Sequence, residues 1–370
     1  MSDLGLTHQL RPAQSQLPVS WYHDQAQFDL ELRSVYNNAP GYVGHELMVP
    51  RQGDFHAIGW MNEGLALVRD NERINLISNV CRHRQAIMLN GSGNLARHGG
   101  NIVCPVHRWT YSAQGTLLGA PYFGTNPCLD LHRMKLQRWN GLLFQGARDV
   151  AGDMADLSVL AKLSFEGYML DRVHVHECDY NWKTFIEVYL EDYHVEPFHP
   201  GLGKFVTCED LTWQFAERYS VQTVGVNSHF DRPGSEKYRI WQEQLLKYRN
   251  GEAPRHGAIW LTMYPNIMVE WYPHVLVVSH LIPRGPQKTI NVVEFYYPED
   301  IVLFEREFIE SEQAAYMETC VEDDEIALRM DAGRKALMDR GLDQAGPYQT
   351  PMEDGMQHFH EYVRRELHRP

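Results

Sequence analysis

Three observations predict an α+β chain, a small all-β domain followed by a larger one in which an antiparallel sheet cradles a long C-terminal helix. From about residue 42 the sequence breaks into short β-like runs, among them Leu65-Ala66-Leu67-Val68 and Leu76-Ile77-Ser78-Asn79-Val80, punctuated by Gly53, Gly64, Gly91 and Gly93. A second set of apolar runs, at 260–264, 267–271, 275–278 and 289–295, is separated by turn signals at Pro265-Asn266, Pro273-His274 and Arg284-Gly285-Pro286, the pattern of antiparallel hairpins. Helical periodicity then holds from about 302 to 340, and Met356, Phe359, Val363 and Leu367 give a last helix one apolar face. At 370 residues the chain is long enough for two cores. The expected division is an N-terminal arm and helix over 1–40, the β domain over 41–150 and the larger domain over 151–370.

Composition narrows the partners. A formal net charge of −14 argues against nucleic acid and against anionic membrane surfaces. No apolar run approaches membrane-spanning length, and Met1 to His8 carries no basic-then-apolar signal, so a soluble, cytoplasmic protein is expected. Six cysteines in a chain this long are too sparse for a disulfide framework, which fits a reducing compartment.

Taken in order, residues 1 to about 20 read as an arm. Asp24 is placed to cap a short helix whose apolar stripe is Phe28, Leu32, Val35 and Tyr36. Inside the β domain, Cys81-Arg82-His83 and Cys104-Pro105-Val106-His107 each join one thiol to one imidazole at what reads as a loop tip. Two sulfurs and two nitrogens suit zinc, and they equally suit a [2Fe–2S] cluster with cysteines on one iron and histidines on the other. Structural zinc sites more often open with Cys-x2-Cys, so Cys-x-His tilts the choice toward the iron cluster. Cys128, Cys178, Cys208 and Cys320 lack partner spacing and read as buried thiols. Val173-His174-Val175-His176 alternates like a strand, with both histidines on one face. Such pairs are more often exposed or hydrogen-bonded than metal-bound.

The stretch from Asn181 to Pro200 is the densest in chemistry. It begins as an amphipathic helix and ends with His194, Pro197, His199 and Pro200. On an unbroken helix, residues five apart point about 140° away from each other. Pro197 is not tolerated in a helix interior, so the helix is expected to kink or stop just after His194, letting His199 swing to the same point. Glu191 stands three residues before His194. Two convergent imidazoles beside a carboxylate suit a metal that needs at least one further ligand from elsewhere. The run Glu322-Asp323-Asp324-Glu325 on the long helix offers candidates, although most acidic runs on helices are solvated faces. Trp260, Tyr264, Trp271 and Tyr272 could frame a quaternary ammonium, but strand alternation would send only some of them inward.

Both constellations, in this order, resemble the Rieske-type non-haem iron oxygenases, the family of the aromatic-ring-hydroxylating dioxygenase alpha subunits. The first half carries Asn79-Val80-Cys81-Arg82-His83-Arg84, Cys104-Pro105-Val106-His107-Arg108-Trp109-Thr110-Tyr111, Gly115 and Gly119-Ala120-Pro121, and the second carries the 181–200 stretch. Two positions depart: the family usually has glycine where Gln85 and Arg108 stand. The resemblance implies a [2Fe–2S] Rieske cluster on Cys81, His83, Cys104 and His107. It further implies a helix-grip catalytic domain, with mononuclear Fe(2+) on His194, His199 and an acid from the long helix. Glu322-Asp323, followed by Ile326 and Gly333, fits the family's register and makes Asp323 the third ligand, with Asp324 as runner-up; the family's usual Gln near that glycine is Asp331 here. Glu191 would then accept hydrogen bonds from His194 and from His107 of a neighbouring subunit, closing a head-to-tail ring, usually a trimer. A glutamate at that position resembles the branch acting on betaine- and carnitine-like substrates.

The implied activity is that of a terminal oxygenase using O2 and electrons from NAD(P)H. No Gly-rich nucleotide motif appears in this chain, so a separate reductase, with or without a ferredoxin, is expected to deliver those electrons. The expected reaction is hydroxylation or dihydroxylation of a small organic, aromatic substrate, or alternatively monooxygenation or N-demethylation of a quaternary-ammonium or N-methyl compound. From other classes, a non-catalytic zinc-binding protein and a pure electron carrier remain as alternatives.

Overall fold

The strand Tyr168–Cys178 opens the larger sheet and pairs with the last strand, Lys288–Pro298, rather than with its sequence neighbour. This computed structural model describes residues 15–368 apart from 62, 72 and 229. The other five strands, Val206–Ala216, Tyr219–Val226, Ala258–Met263, Ile267–Tyr272 and Val275–Gly285, form an antiparallel meander leading into Lys288–Pro298. Turns fall at Pro265-Asn266 and Pro273-His274 as expected. The third lies one residue later than its turn signal, because Gly285 still pairs with Lys288.

Pairing the first strand with the last forces the connection between Cys178 and Val206 to travel from one sheet edge to the other. That connection holds the 181–200 stretch. Its Val195, Leu202 and Phe205 pack with Val275, Val277, Val293 and Phe295, residues that alternate along their strands and so share one sheet face. The long helix Arg306–Asp339 adds Phe308, Ile309 and Ala315 to the same core. Each large apolar side chain buried there contributes roughly 1.5–3 kcal/mol. A second core joins Trp182, Ile186 and Leu190 to Met268, Leu281 and the apolar face of the C-terminal helix Asp354–Leu367.

The expected N-terminal arm falls largely on residues 1–14, which lie outside the described residues. Asp24 accepts the Gln27 backbone N–H at 2.7 Å and caps the helix Gln25–Glu31. The described residues up to 39 and from 158 onward group as one unit and those of 40–157 as another.

The smaller unit is all β in its main elements. Its five-stranded sheet runs Ser92–Asn94, Asp54–Ile58, Leu65–Asp70, Arg73–Ser78, Arg133–Met134, and two three-stranded sheets accompany it. Val68, Ile77, Ile102, Trp109, Tyr111 and Leu131 form its core together with Cys81 and Cys104. Among the described residues no helix is long and apolar enough to cross a membrane. Cys178 is buried as expected, but Cys128 is exposed, because it sits in a strandless surface stretch.

Candidate metal centres

The two Cys/His pairs of the smaller unit sit on loops of one construction. Cys81 N–H donates to Ala86 O at 2.9 Å and Gln85 N–H to Cys81 O at 3.0 Å; Cys104 N–H donates to Trp109 O at 2.8 Å and Arg108 N–H to Cys104 O at 3.1 Å. Asn79 clamps the first loop, its Nδ2 donating to Leu89 O at 2.7 Å while its Oδ1 accepts the Leu89 N–H at 2.8 Å. Each loop turns through a left-handed residue, Gln85 at φ 55° and Arg108 at φ 61°. The two departures from the family pattern therefore keep the backbone shape glycine would give, at a steric cost on the order of 1 kcal/mol each. Gln85→Gly and Arg108→Gly are each expected to raise stability by up to about 1 kcal/mol with an unchanged cluster spectrum, whereas β-branched Gln85→Val should lower it by about 1–2 kcal/mol. Denaturant midpoints followed through the cluster absorbance test both directions.

The His83 and His107 rings lie 4.5 Å apart, and His83 stacks on Trp109 at 5.0 Å with planes 5° from parallel. Cys81 and Cys104 are buried free thiols, with the Tyr111 hydroxyl 3.6 Å from Cys81 Sγ. His83 Nδ1 is buried without a hydrogen-bond partner among the described residues, an orphan that a metal would satisfy. Two sulfurs and two ring nitrogens on facing loops fit a two-iron cluster, with the cysteines on one iron and the histidines on the other.

In the larger unit the Asn181 side chain accepts the Lys183 N–H at 2.9 Å and starts the helix Trp182–Tyr189. The expectation that this helix reaches His194 is corrected. It stops at Tyr189, and His194 begins a separate single turn, Val195–Phe198, that contains Pro197. Proline is accommodated there because the first turn of a helix has no intrahelical use for its N–H groups. The break brings His194 Nε2 within 3.0 Å of His199 Nε2. Asp323 Oδ1 lies 3.0 Å from His199 Nε2 and 3.5 Å from His194 Nε2.

Each imidazole is oriented from behind by a glutamate. Glu191 Oε1 accepts from His194 Nδ1, and its Oε2 accepts the His194 backbone N–H at 3.1 Å. Glu322 Oε2 accepts from His199 Nδ1 at 2.7 Å. With Nδ1 protonated toward a carboxylate, both Nε2 lone pairs face Asp323, the tautomer a metal-binding histidine needs. Burial disfavours protonating His194, but Asp323 and Glu191 outweigh it and push its pKa up to about 10. Asp323 is held below the usual carboxylate range because the two histidines overcome its burial. A field that favours added protons this strongly also favours a divalent cation, so the donor set fits iron.

Helix phase separates Asp323 from its neighbour. Glu312, Tyr316, Cys320, Asp323 and Ala327 recur three to four residues apart and share one face, which lines the cavity beside the histidines. Asp324, about 100° further round, accepts the Tyr180 hydroxyl at 2.6 Å and sits 2.8 Å from His176 Nε2. With Cys178 it forms a second convergent set of donor atoms, so His176 faces this acid rather than His174 alone. Asp331 accepts from the Asn181 N–H at 2.8 Å, Thr184 Oγ1 at 2.6 Å, Gln287 Nε2 at 2.9 Å and Arg334 at 3.1 Å, a negative group at the N-terminus of the iron-motif helix. Sequence reasoning missed the parts played by Glu322, Tyr180 and Asp331; Glu322, one residue before the chosen ligand, was the nearest to a signal.

The cavity measures about 890 Å³ including its open mouth. Of the strand aromatics, Trp260 and Tyr272 line it, whereas Tyr264 turns to the C-terminal helix and bonds His358 at 2.9 Å. Its wall holds five carboxylate side chains, Glu191, Asp192, Glu270, Glu312 and Asp323, and no Lys or Arg among the described residues.

A Rieske-type loop pair on a small β unit, with a two-histidine, one-carboxylate cluster on a helix-grip sheet, defines a Rieske non-haem iron oxygenase. The chain belongs to that family: residues 40–133 match the Rieske [2Fe-2S] domain, and residues 165–369 match the ring hydroxylating alpha subunit (catalytic domain). It is 63% identical over 365 residues to putrescine 2-hydroxylase of Ralstonia nicotianae, covering 99% of each chain. It is 56% identical to putrescine 2-hydroxylase of Bordetella bronchiseptica, covering 99% of this chain and 87% of that one. A solved quaternary ammonium Rieske monooxygenase shares the fold at a TM-score of 0.76, with 19% identity over 96% of each chain. The protein is therefore an oxygenase with a Rieske cluster and a mononuclear iron, and the zinc-binding and electron-carrier alternatives are set aside.

Proposed function

We propose that this chain is the terminal oxygenase of a system that hydroxylates putrescine, 1,4-diaminobutane, at carbon 2. The observation that carries the reading is the wall of the cavity beside His194, His199 and Asp323, which holds five carboxylates and no Lys or Arg among the described residues. A dication entering such a pocket gains charge complementarity that a neutral aromatic ring would not. The names of the two putrescine 2-hydroxylases that this chain resembles support the same substrate. The reading takes up neither the ring hydroxylation nor the N-demethylation expected from sequence; it retains the amine character of the second.

Cys81, His83, Cys104 and His107 would hold the cluster, and His194, His199 and Asp323 the iron. Bound there, the metals supply one-electron delivery and the open coordination at which O2 is activated. Glu191 and Glu322 hold the Nδ1 protons, which keeps both Nε2 atoms free for the metal. Apolar walls such as Val188, Val195 and Leu202 exclude water from the reacting carbon. One oxygen atom enters the C–H bond and the other leaves as water, with two electrons and two protons completing the balance. Those electrons come from NAD(P)H through a separate reductase, and the working assembly is a trimer or a multiple of it.

The test is turnover of putrescine by the reduced, iron-loaded protein under 18O2. The expected product is the amino alcohol carrying one heavy oxygen. O2 uptake without that product would sink the reading, and ring-hydroxylated product from an aromatic substrate would restore the aromatic one.

A further inference from the structure

Some deeply buried acids of the larger unit face a cation. Glu31 faces Lys183 at 2.8 Å, Glu187 faces Arg334 at 2.5 Å, and Glu366 faces Arg218 at 3.5 Å. Like the cavity-lining Asp192 and Glu312, Glu270 (2% exposed) forms no ion pair among the described residues. Two hydroxyls hold its carboxyl instead. Tyr272 OH donates to Oε2 at 2.9 Å and Tyr316 OH donates to Oε1 at 2.9 Å. Trp260, opposite Glu270 on the neighbouring strand, donates its indole N–H to Tyr272 OH at 2.9 Å. The rings are inclined like the walls of a box, Tyr272 to Tyr316 at 86° and Trp260 to Tyr272 at 73°. All four residues line the cavity.

This arrangement suits a cationic partner. A buried carboxylate is stabilised by a cation, and burial reinforced by the Asp323 charge pushes Glu270 up to about 7. A positive group with hydrogen-bond donors complements it. A primary ammonium offers three N–H donors, and each carboxylate oxygen retains a lone pair beyond the one its tyrosine uses. The surrounding rings add cation–π attraction to the same group. A quaternary ammonium has no N–H for the carboxylate to accept, so the box suits the primary amine better. Glu270 lies on a sheet strand, while the metal-facing residues lie on the crossing connection and the long helix. Substrate bound here would therefore be held by its terminus and not by the reacting carbon.

We infer that Glu270, framed by Tyr272 and Tyr316, is the subsite that binds one terminal ammonium of the diamine and so sets which carbon meets the iron. The inference rests on the amine-hydroxylase reading, and the experiment keeps the two apart. Putrescine binding is measured calorimetrically and anaerobically on the iron- and cluster-loaded protein, together with 1,3-diaminopropane and 1,5-diaminopentane. In Glu270→Gln, putrescine affinity is expected to fall about 100-fold or more, with metal content retained and the preference among the three chain lengths flattened. Tyr316→Phe keeps the ring and removes one orienting hydroxyl, so it should weaken binding about tenfold and stands in should Glu270→Gln not fold. Wild-type affinity and length preference in both variants would overturn the subsite and leave the amine reading standing. A wild-type protein that binds none of the three diamines would overturn the reading and the subsite with it.

Discussion

Asp323→Ala is expected to yield a protein that keeps its Rieske absorbance, loses its mononuclear iron and hydroxylates at least about 1,000-fold more slowly, roughly 4 kcal/mol at the transition state. The geometry behind this is specific. Asp323 Oδ1 is the carboxylate oxygen that comes within 3.0 Å and 3.5 Å of the two histidine Nε2 atoms. Removing it leaves two neutral imidazoles to hold a dication. Asp324→Asn is the control on the neighbouring residue. It disturbs the Tyr180 and His176 contacts and should leave iron content intact with activity within about tenfold of wild type. Glu322→Gln falls between the two, weakening iron about 10–100-fold by freeing His199 to turn. Iron analysis alongside the cluster spectrum separates the three. Iron retained by Asp323→Ala and lost from Asp324→Asn would transfer the ligand role to Asp324.

The choice between these two acids marks how far sequence alone reaches. The Cys/His pairs and the two histidines were legible because ligand chemistry fixes both residue type and short spacing. Asp323 was legible through the register of Ile326 and Gly333 in the resembled family, and its physical reason is helix phase, visible once Tyr316, Cys320 and Ala327 share its face. The break at Tyr189 was not legible. Residues 190–194 carry no strong helix breaker, and it is packing of Leu190 and the Asp192 N–H bond to Met352 O that ends the helix early. Glu322, Asp331 and Glu270 escaped for a shared reason. Each acts on a residue far along the chain, and nothing local distinguishes such a carboxylate from a solvated one. The strand alternation that sends Trp260 and Tyr272 into the cavity and Tyr264 away from it was expected in kind, but its phase depends on which sheet face the crossing connection covers.

Glu191→Gln is expected to retain both metals and the oligomer while slowing electron arrival at the iron about 100-fold, near 2.7 kcal/mol. Both Glu191 oxygens already serve His194, one at the ring Nδ1 and one at the backbone N–H. Each still has a lone pair free. His107 is exposed on its loop, so its outer ring nitrogen is open to a donor contact with a neighbouring subunit. A carboxylate can accept from two imidazoles at once and link them through two charge-assisted bonds. A glutamine cannot do both. Its carbonyl can keep His194 oriented, but its amide end then offers N–H groups to the N–H of His107, turning an attraction into a repulsion. The iron site would survive while the proposed contact with His107, through which electrons would be delivered, is lost. Substrate affinity should fall by less than about tenfold, because four of the five cavity-wall carboxylates remain. Single-turnover oxidation of the pre-reduced cluster reads the rate directly, and sedimentation compares the assembly of the variant with that of the wild type. If cluster oxidation in the variant keeps the wild-type rate with full coupling to product, electrons reach the iron by another route and Glu191 is left with orienting His194 alone.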